Sequence, residues 1–241
     1  MAASPTFSIL LAMVFVVGLG AGMLDMILSP VVAALNPERR TAAMNWLHSY
    51  YPVGAVVTIL IGTVALAFDV GWRAVCWLVI VLPLGLVLAF LPMRFPDMVT
   101  DRGRTSTRSL CAKPWFLVAL AAIFLGGATE LGMAQWLPAY AETSLGFSPT
   151  VAGVGLLLFS IAMALGRMVV GAMEARANAY LVLVVGSSLS VVLFLLGSFL
   201  ENPLLALTAC VAAGFTGSSL WPTMLAVAAD RAPDGGASMF A

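Results

Sequence analysis

The sequence predicts an all-α protein, a polytopic transmembrane helical bundle with about seven spans. Three observations lead there: a composition too poor in charge for a water-soluble surface, a series of long apolar stretches, and a one-sided distribution of basic residues. Of 241 residues, 62% are hydrophobic and 9% charged, with a mean hydropathy of +1.06. A soluble domain carries roughly 25% charged residues, so lipid rather than water must cover most of this surface. A net charge of zero speaks against a nucleic-acid partner, which would demand clustered Lys and Arg.

A spanning helix needs about 20 mostly apolar residues. Such stretches fall near 7–35, 48–68, 72–93, 114–140, 150–172, 179–200 and 203–229, separated by short polar, Pro-containing or charged breaks. The first is too long for a signal-peptide core and has no basic residue ahead of it, so it is expected to stay as a span. Basic residues collect in cytoplasmic loops. Arg39 and Arg40 follow the first stretch, Arg94, Arg102, Arg104, Arg108 and Lys113 the third, Arg167 and Arg176 the end of the fifth, and Arg231 the seventh. Arg73 alone falls on the other side. This pattern puts the N-terminus outside and the C-terminus in the cytoplasm. The wealth of Ala, Val, Gly and Arg beside a single Lys points to a bacterial inner membrane.

The polar stretch 94–113 reads as a cytoplasmic loop dividing the chain into 1–93 and 114–241. The flanking pieces show a loose internal repeat. The first span, GLGAGMLDMILSPVVAALNPERRTAAM, and the seventh, AAGFTGSSLWPTMLAVAADRAPDGGASM, each carry clustered Gly, then a mid-helix Pro, then a Pro-acid pair at Pro37 and Pro233. Both run in the same direction through the bilayer, as equivalent helices of two six-helix halves would.

Two carboxylates lie deep in apolar stretches, where an acid is costly and normally faces a cavity or a partner. Asp25 shares a stripe with Gly18, Gly22 and Ser29, which either lines a solute path or lets another helix pack closely. Glu130 follows Gly126 and Gly127 in the fourth span; it is either the second member of a binding and coupling pair or a structural acid closing the bundle. Gln135 and Trp136 continue that helix as cavity-lining candidates. Asn45, His48, Ser49 and Pro52 fall on one helical face, expected to point into the bundle. His48, the only histidine, is as readily a hydrogen-bonded structural group as a proton carrier. Cys76, Cys111 and Cys210 are too scattered for a disulfide framework or a metal site. No phosphate-binding Gly loop followed by Lys is present, so neither an ATP-driven nor a metal-centred activity is indicated and no cofactor is expected.

The segments LDMILSPVVAALNPERRTAAMNWLHSYYPVGAVV at 24–57, GGATELGMAQWLPAY at 126–140 and LGRMVVGAMEAR at 165–176 resemble the major facilitator superfamily, within it the fucose-permease-like group of sugar-proton symporters. Asp25, Ser29 and Pro30 match the group's fourth helix; Asn45 and His48 match the start of the fifth; Gly127, Glu130, Trp136 and Tyr140 match the seventh. The resemblance implies a major facilitator type bundle in which this chain covers helices 4 to 10 of 12, with 1–93 the last three helices of the N-terminal half and 114–241 the first four of the C-terminal half. It also implies a gating loop around Arg167, Glu174 and Arg176, although Glu174 and Ala175 stand where the group carries a Gly-x-x-x-Asp-Arg pattern. The first helix of the group, which supplies an acid working with the one matched by Asp25, has no counterpart here.

The expected function is secondary active transport of a small polar solute, with a sugar as one candidate, by alternating access with proton coupling, and no enzymatic activity. Asp25 and Glu130 are the proposed coupling or binding acids, with Asn45, His48, Gln135 and Trp136 around them. A seven-helix receptor has the same topology, but no span offers a Lys to hold a retinal. A truncated, non-transporting fragment is the third reading.

Overall fold

The computed structural model describes residues 2–68, 70–94, 106–173 and 178–232. These are helical, with no strand among the described residues. Six elements among them have the length and apolarity to cross a membrane: Phe7–Leu35, Trp72–Phe90, Pro114–Thr143, Pro149–Ala172, Ala179–Phe199 and Pro203–Arg231. A further helix of 28 residues, Arg40–Ala67, occupies the position of the second expected span. Seven elements of spanning length therefore stand where the apolar stretches placed them.

In chain order the helices are α1 (Phe7–Leu35), α2 (Arg40–Ala67), α3 (Trp72–Val79), α4 (Val81–Phe90), α5 (Thr107–Cys111), α6 (Pro114–Thr143), α7 (Pro149–Ala172), α8 (Ala179–Phe199), α9 (Pro203–Gly217) and α10 (Leu220–Arg231). Their starts follow local chemistry. The side chains of Thr6, Ser148, Asn178 and Asn202 accept hydrogen bonds from the first free amides of α1, α7, α8 and α9, the preferred arrangement at an N-cap. Pro149 and Pro203 stand in the first turns of α7 and α9, where a missing N–H costs nothing.

Two breaks within spans also trace to proline, which cannot donate to the carbonyl four residues earlier. Pro83 leaves the carbonyl of Val79 without its donor, and the third span divides there into α3 and α4. Pro222 does the same for Ser218, at the junction of α9 and α10. By contrast, α2 begins at Arg40 rather than near residue 48, because its polar first turns find partners inside the protein. The Arg40 Nε donates to the Ala33 carbonyl at 3.2 Å and Nη1 meets Asp230 of α10 at 2.6 Å.

The buried core lies along α7, α9 and the facing sides of α2, α6 and α10. Leu137, Ala141, Ala152, Phe159, Met163, Leu207 and Cys210 join α6, α7 and α9 in one apolar cluster. Ala33, Met44, Leu225 and Ala226 join α1, α2 and α10 in another. The helices α1, α3 and α4 are apolar around nearly their whole circumference and largely exposed, as lipid contact requires. All three cysteines are free thiols.

The contact between α2 and α7 unites the chain before and after the polar stretch 94–113, and it is close because Gly171 has no side chain. A Cβ on Gly171 would stand 2.7 Å from Cδ1 of Trp46, so the indole of α2 lies directly on the backbone of α7. The same absence of a Cβ at Gly166 admits the Phe215 carbonyl and the Ser218 hydroxyl.

Candidate functional site

Where α1 and α2 face α6, α7 and α10, they enclose an open cavity of about 560 Å³, within the range of small-molecule sites. Asp25 reaches it from α1, His48 and Tyr51 from α2, Glu130 from α6, Arg167 from α7 and Trp221 from α10. Its wall therefore draws on chain from both sides of the polar stretch.

Asp25 has neither a hydrogen bond nor an ion pair to another described residue, leaving its carboxylate open to the cavity. The small-residue stripe around it is not a tight helix contact among the described residues, since a Cβ at Gly18 or Gly22 would meet nothing within 4 Å. Ser29, one turn on, is buried and lies 3.3 Å from Nε2 of His48. The His48 ring packs edge-on against Trp221, with centroids 4.4 Å apart and planes at 82°, an aromatic geometry favoured by the ring quadrupole.

The whole face of α2 marked by Asn45, His48, Ser49 and Pro52 is buried. Asn45 is fully enclosed and serves a neighbouring contact rather than the cavity wall. Its amide nitrogen donates to the Thr41 carbonyl at 2.9 Å and to Oγ1 of Thr223 at 3.0 Å, tying α2 to α10. The Oδ1 of Asn45 has no partner among the described residues.

Glu130 forms an ion pair with Arg167. Their side chains are 14% and 2% exposed, so both charges have lost most of their water and depend on each other. Arg167 also donates from Nε to the Ser218 carbonyl at 2.8 Å and from Nη1 to the His48 carbonyl at 2.6 Å. The expectation of Arg167 as a gating-loop residue is corrected by this placement. It lies more than a turn inside the end of α7, held by acceptors on three other parts of the bundle. Glu174 and Arg176 lie outside the described residues.

Gln135 and Trp136 are exposed on α6, outside the cavity. At 100° per residue they are rotated from Glu130 by about 140° and 240°, too far to share its face. Tyr140 uses its hydroxyl on the Gly197 carbonyl of α8 at 2.5 Å, a contact between helices. Sequence reading missed Tyr51 and Trp221, which are aromatic residues in ordinary apolar surroundings. It misplaced Arg167, although the criterion that singled out Asp25, a charge within an apolar stretch, applies to it equally. Beside Glu130, away from the main cavity, a crevice of about 20 Å³ bounded by Thr129, Met133 and Ser218 has room for a water molecule.

Membrane-length helices around a mainly apolar, solute-sized cavity that carries a few charged side chains define a multi-pass helical membrane protein with an internal chamber. The chain belongs to the Major Facilitator Superfamily, whose family model matches residues 1–241. It is 22% identical over 218 residues to an uncharacterised MFS-type transporter of Yersinia pestis, covering 90% of this chain and 56% of that protein. The chain thus spans about half the length of the curated relative it matches. No solved structure gives a significant match.

Proposed function

We propose that this chain is the solute-binding centre of a secondary active transporter that moves a small polar solute by alternating access, coupled to protons. In this reading 1–93 and 114–241 belong to two six-helix halves joined through the loop at 94–113. Family membership supports transport rather than an enzymatic role. One observation carries the mechanistic reading: the cavity of about 560 Å³ lies at the seam between the two pieces of chain and presents two carboxylates, Asp25 and Glu130. A chamber walled by both pieces changes its accessible side when they rock against each other.

The two acids have different roles because their surroundings differ. Glu130 is bound to Arg167 and completes the wall. Asp25 has no partner among the described residues and faces the cavity, so it is the group free to take up a proton or to accept hydrogen bonds from a solute. A sugar suits this chamber: its hydroxyls would donate to Asp25, and its apolar C–H face would rest on Trp221. Because Arg167 already serves three protein acceptors, no cation among the described residues that line the cavity is left for an anionic solute.

The test is a solute-uptake screen in cells or vesicles with an imposed proton gradient. Asp25→Asn is expected to abolish gradient-driven uptake while leaving the protein in the membrane. Gradient-driven uptake at the unsubstituted rate would remove Asp25 from the mechanism.

A further inference from the structure

Arg167 does more than neutralise Glu130. A proline at position i removes the amide that would bond the carbonyl at i−4. Pro52 lies inside α2, and the carbonyl it leaves without a donor is that of His48. Pro222 lies in the first turn of α10, and the carbonyl it vacates is that of Ser218. These are the two carbonyls that the Arg167 guanidinium occupies, Nη1 on His48 at 2.6 Å and Nε on Ser218 at 2.8 Å. Both sites are buried, where an unsatisfied carbonyl is expensive, and within lipid no water can stand in for the missing amide.

We propose that Arg167 is a positioning residue that clamps the seam of the molecule by supplying the two hydrogen-bond donors that Pro52 and Pro222 remove. The planar fork of a guanidinium can reach acceptors in several directions at once. One side chain of α7 thereby joins α2, from the chain before residue 94, to the α9–α10 junction after it. The third acceptor is the Glu130 carboxylate, which also lines the cavity. On the transport reading above, a solute drawing on Glu130 loosens the clamp from inside the chamber, which links binding to movement at the seam. The clamp itself does not depend on that reading.

The test returns the missing amides. In the 241-residue chain, Glu130→Gln with Arg167→Met removes both charges together, so no bare charge remains, and leaves the two carbonyls empty. Ala226 is fully buried between α2 and α10, so Ala226→Cys reports seam opening through its rate of maleimide labelling in detergent, read by peptide mass spectrometry. The pair is expected to raise that rate by about tenfold or more. Adding Pro52→Ala and Pro222→Ala restores the backbone donors and is expected to return the rate to within about threefold of the starting protein. Equal labelling with proline and with alanine, or no rise in the first variant, overturns the proposal. Should the pair fail to fold, Arg167→Lys keeps the charge without the fork and is read in the same way. Rescue by the two alanines is again expected, and its absence is again fatal to the proposal. No transport is measured, so this outcome stands apart from that of the uptake screen.

Discussion

Removing the carboxylate of Glu130 should be costly in a way that removing most polar groups is not. Its partner Arg167 has a side chain that is 2% exposed and cannot shed its charge. Glu130→Ala would leave the guanidinium with two neutral carbonyls and without the counter-ion it has among the described residues. Breaking a buried pair from one side costs about 3–5 kcal/mol. Because Glu130 itself keeps 14% exposure and lines an open cavity, solvent screening brings the expected loss below most of that range, to about 2–3 kcal/mol. Glu130→Gln keeps an oxygen that can accept from Nη2, so it should lose about half as much. The assay is reversible unfolding in mixed micelles by denaturing detergent, followed by helical circular dichroism. Indistinguishable unfolding for Glu130→Ala and the unsubstituted chain would refute the claim that the pair is buried and mutually dependent.

Two other substitutions probe the seam. Gly171→Ala places a methyl group 2.7 Å from the Trp46 ring and should destabilise by about 1–3 kcal/mol; Trp46→Ala in the same chain should recover part of that loss in a double-mutant cycle, and simple additivity would argue against the contact. Asp230→Asn should change stability by less than about 1 kcal/mol, since the carboxylate bonded to Arg40 has a side chain that is 55% exposed, and the difference should shrink further in high salt; thermal unfolding at two ionic strengths checks both statements.

What the sequence determines by itself is the class of the protein and the position of its spans. Hydropathy averages over some twenty residues, so it survives uncertainty in any single contact, and lipid forces each stretch to satisfy its own backbone as a helix. Proline and cap residues set the ends for similarly local reasons, as at Ser148–Pro149 and Asn202–Pro203. The burden of a charge in an apolar stretch is also visible in sequence, which is why Asp25 and Glu130 stand out and why Arg167 should have.

Tertiary structure alone decides which of these groups meet. Asn45 and His48 share one helical face, yet the packing of α10 draws Asn45 to Thr223 and leaves His48 at the cavity. Gln135 and Trp136 sit within two turns of Glu130, yet helical rotation carries them to the outer surface. Arg167 is 119 residues from His48 and 51 from Ser218, and nothing local indicates that two proline-vacated carbonyls would come within reach of one guanidinium. Such partnerships depend on how the helices cross, and crossing is set by side-chain fit between distant segments, as where Trp46 seats on Gly171, rather than by any window of sequence.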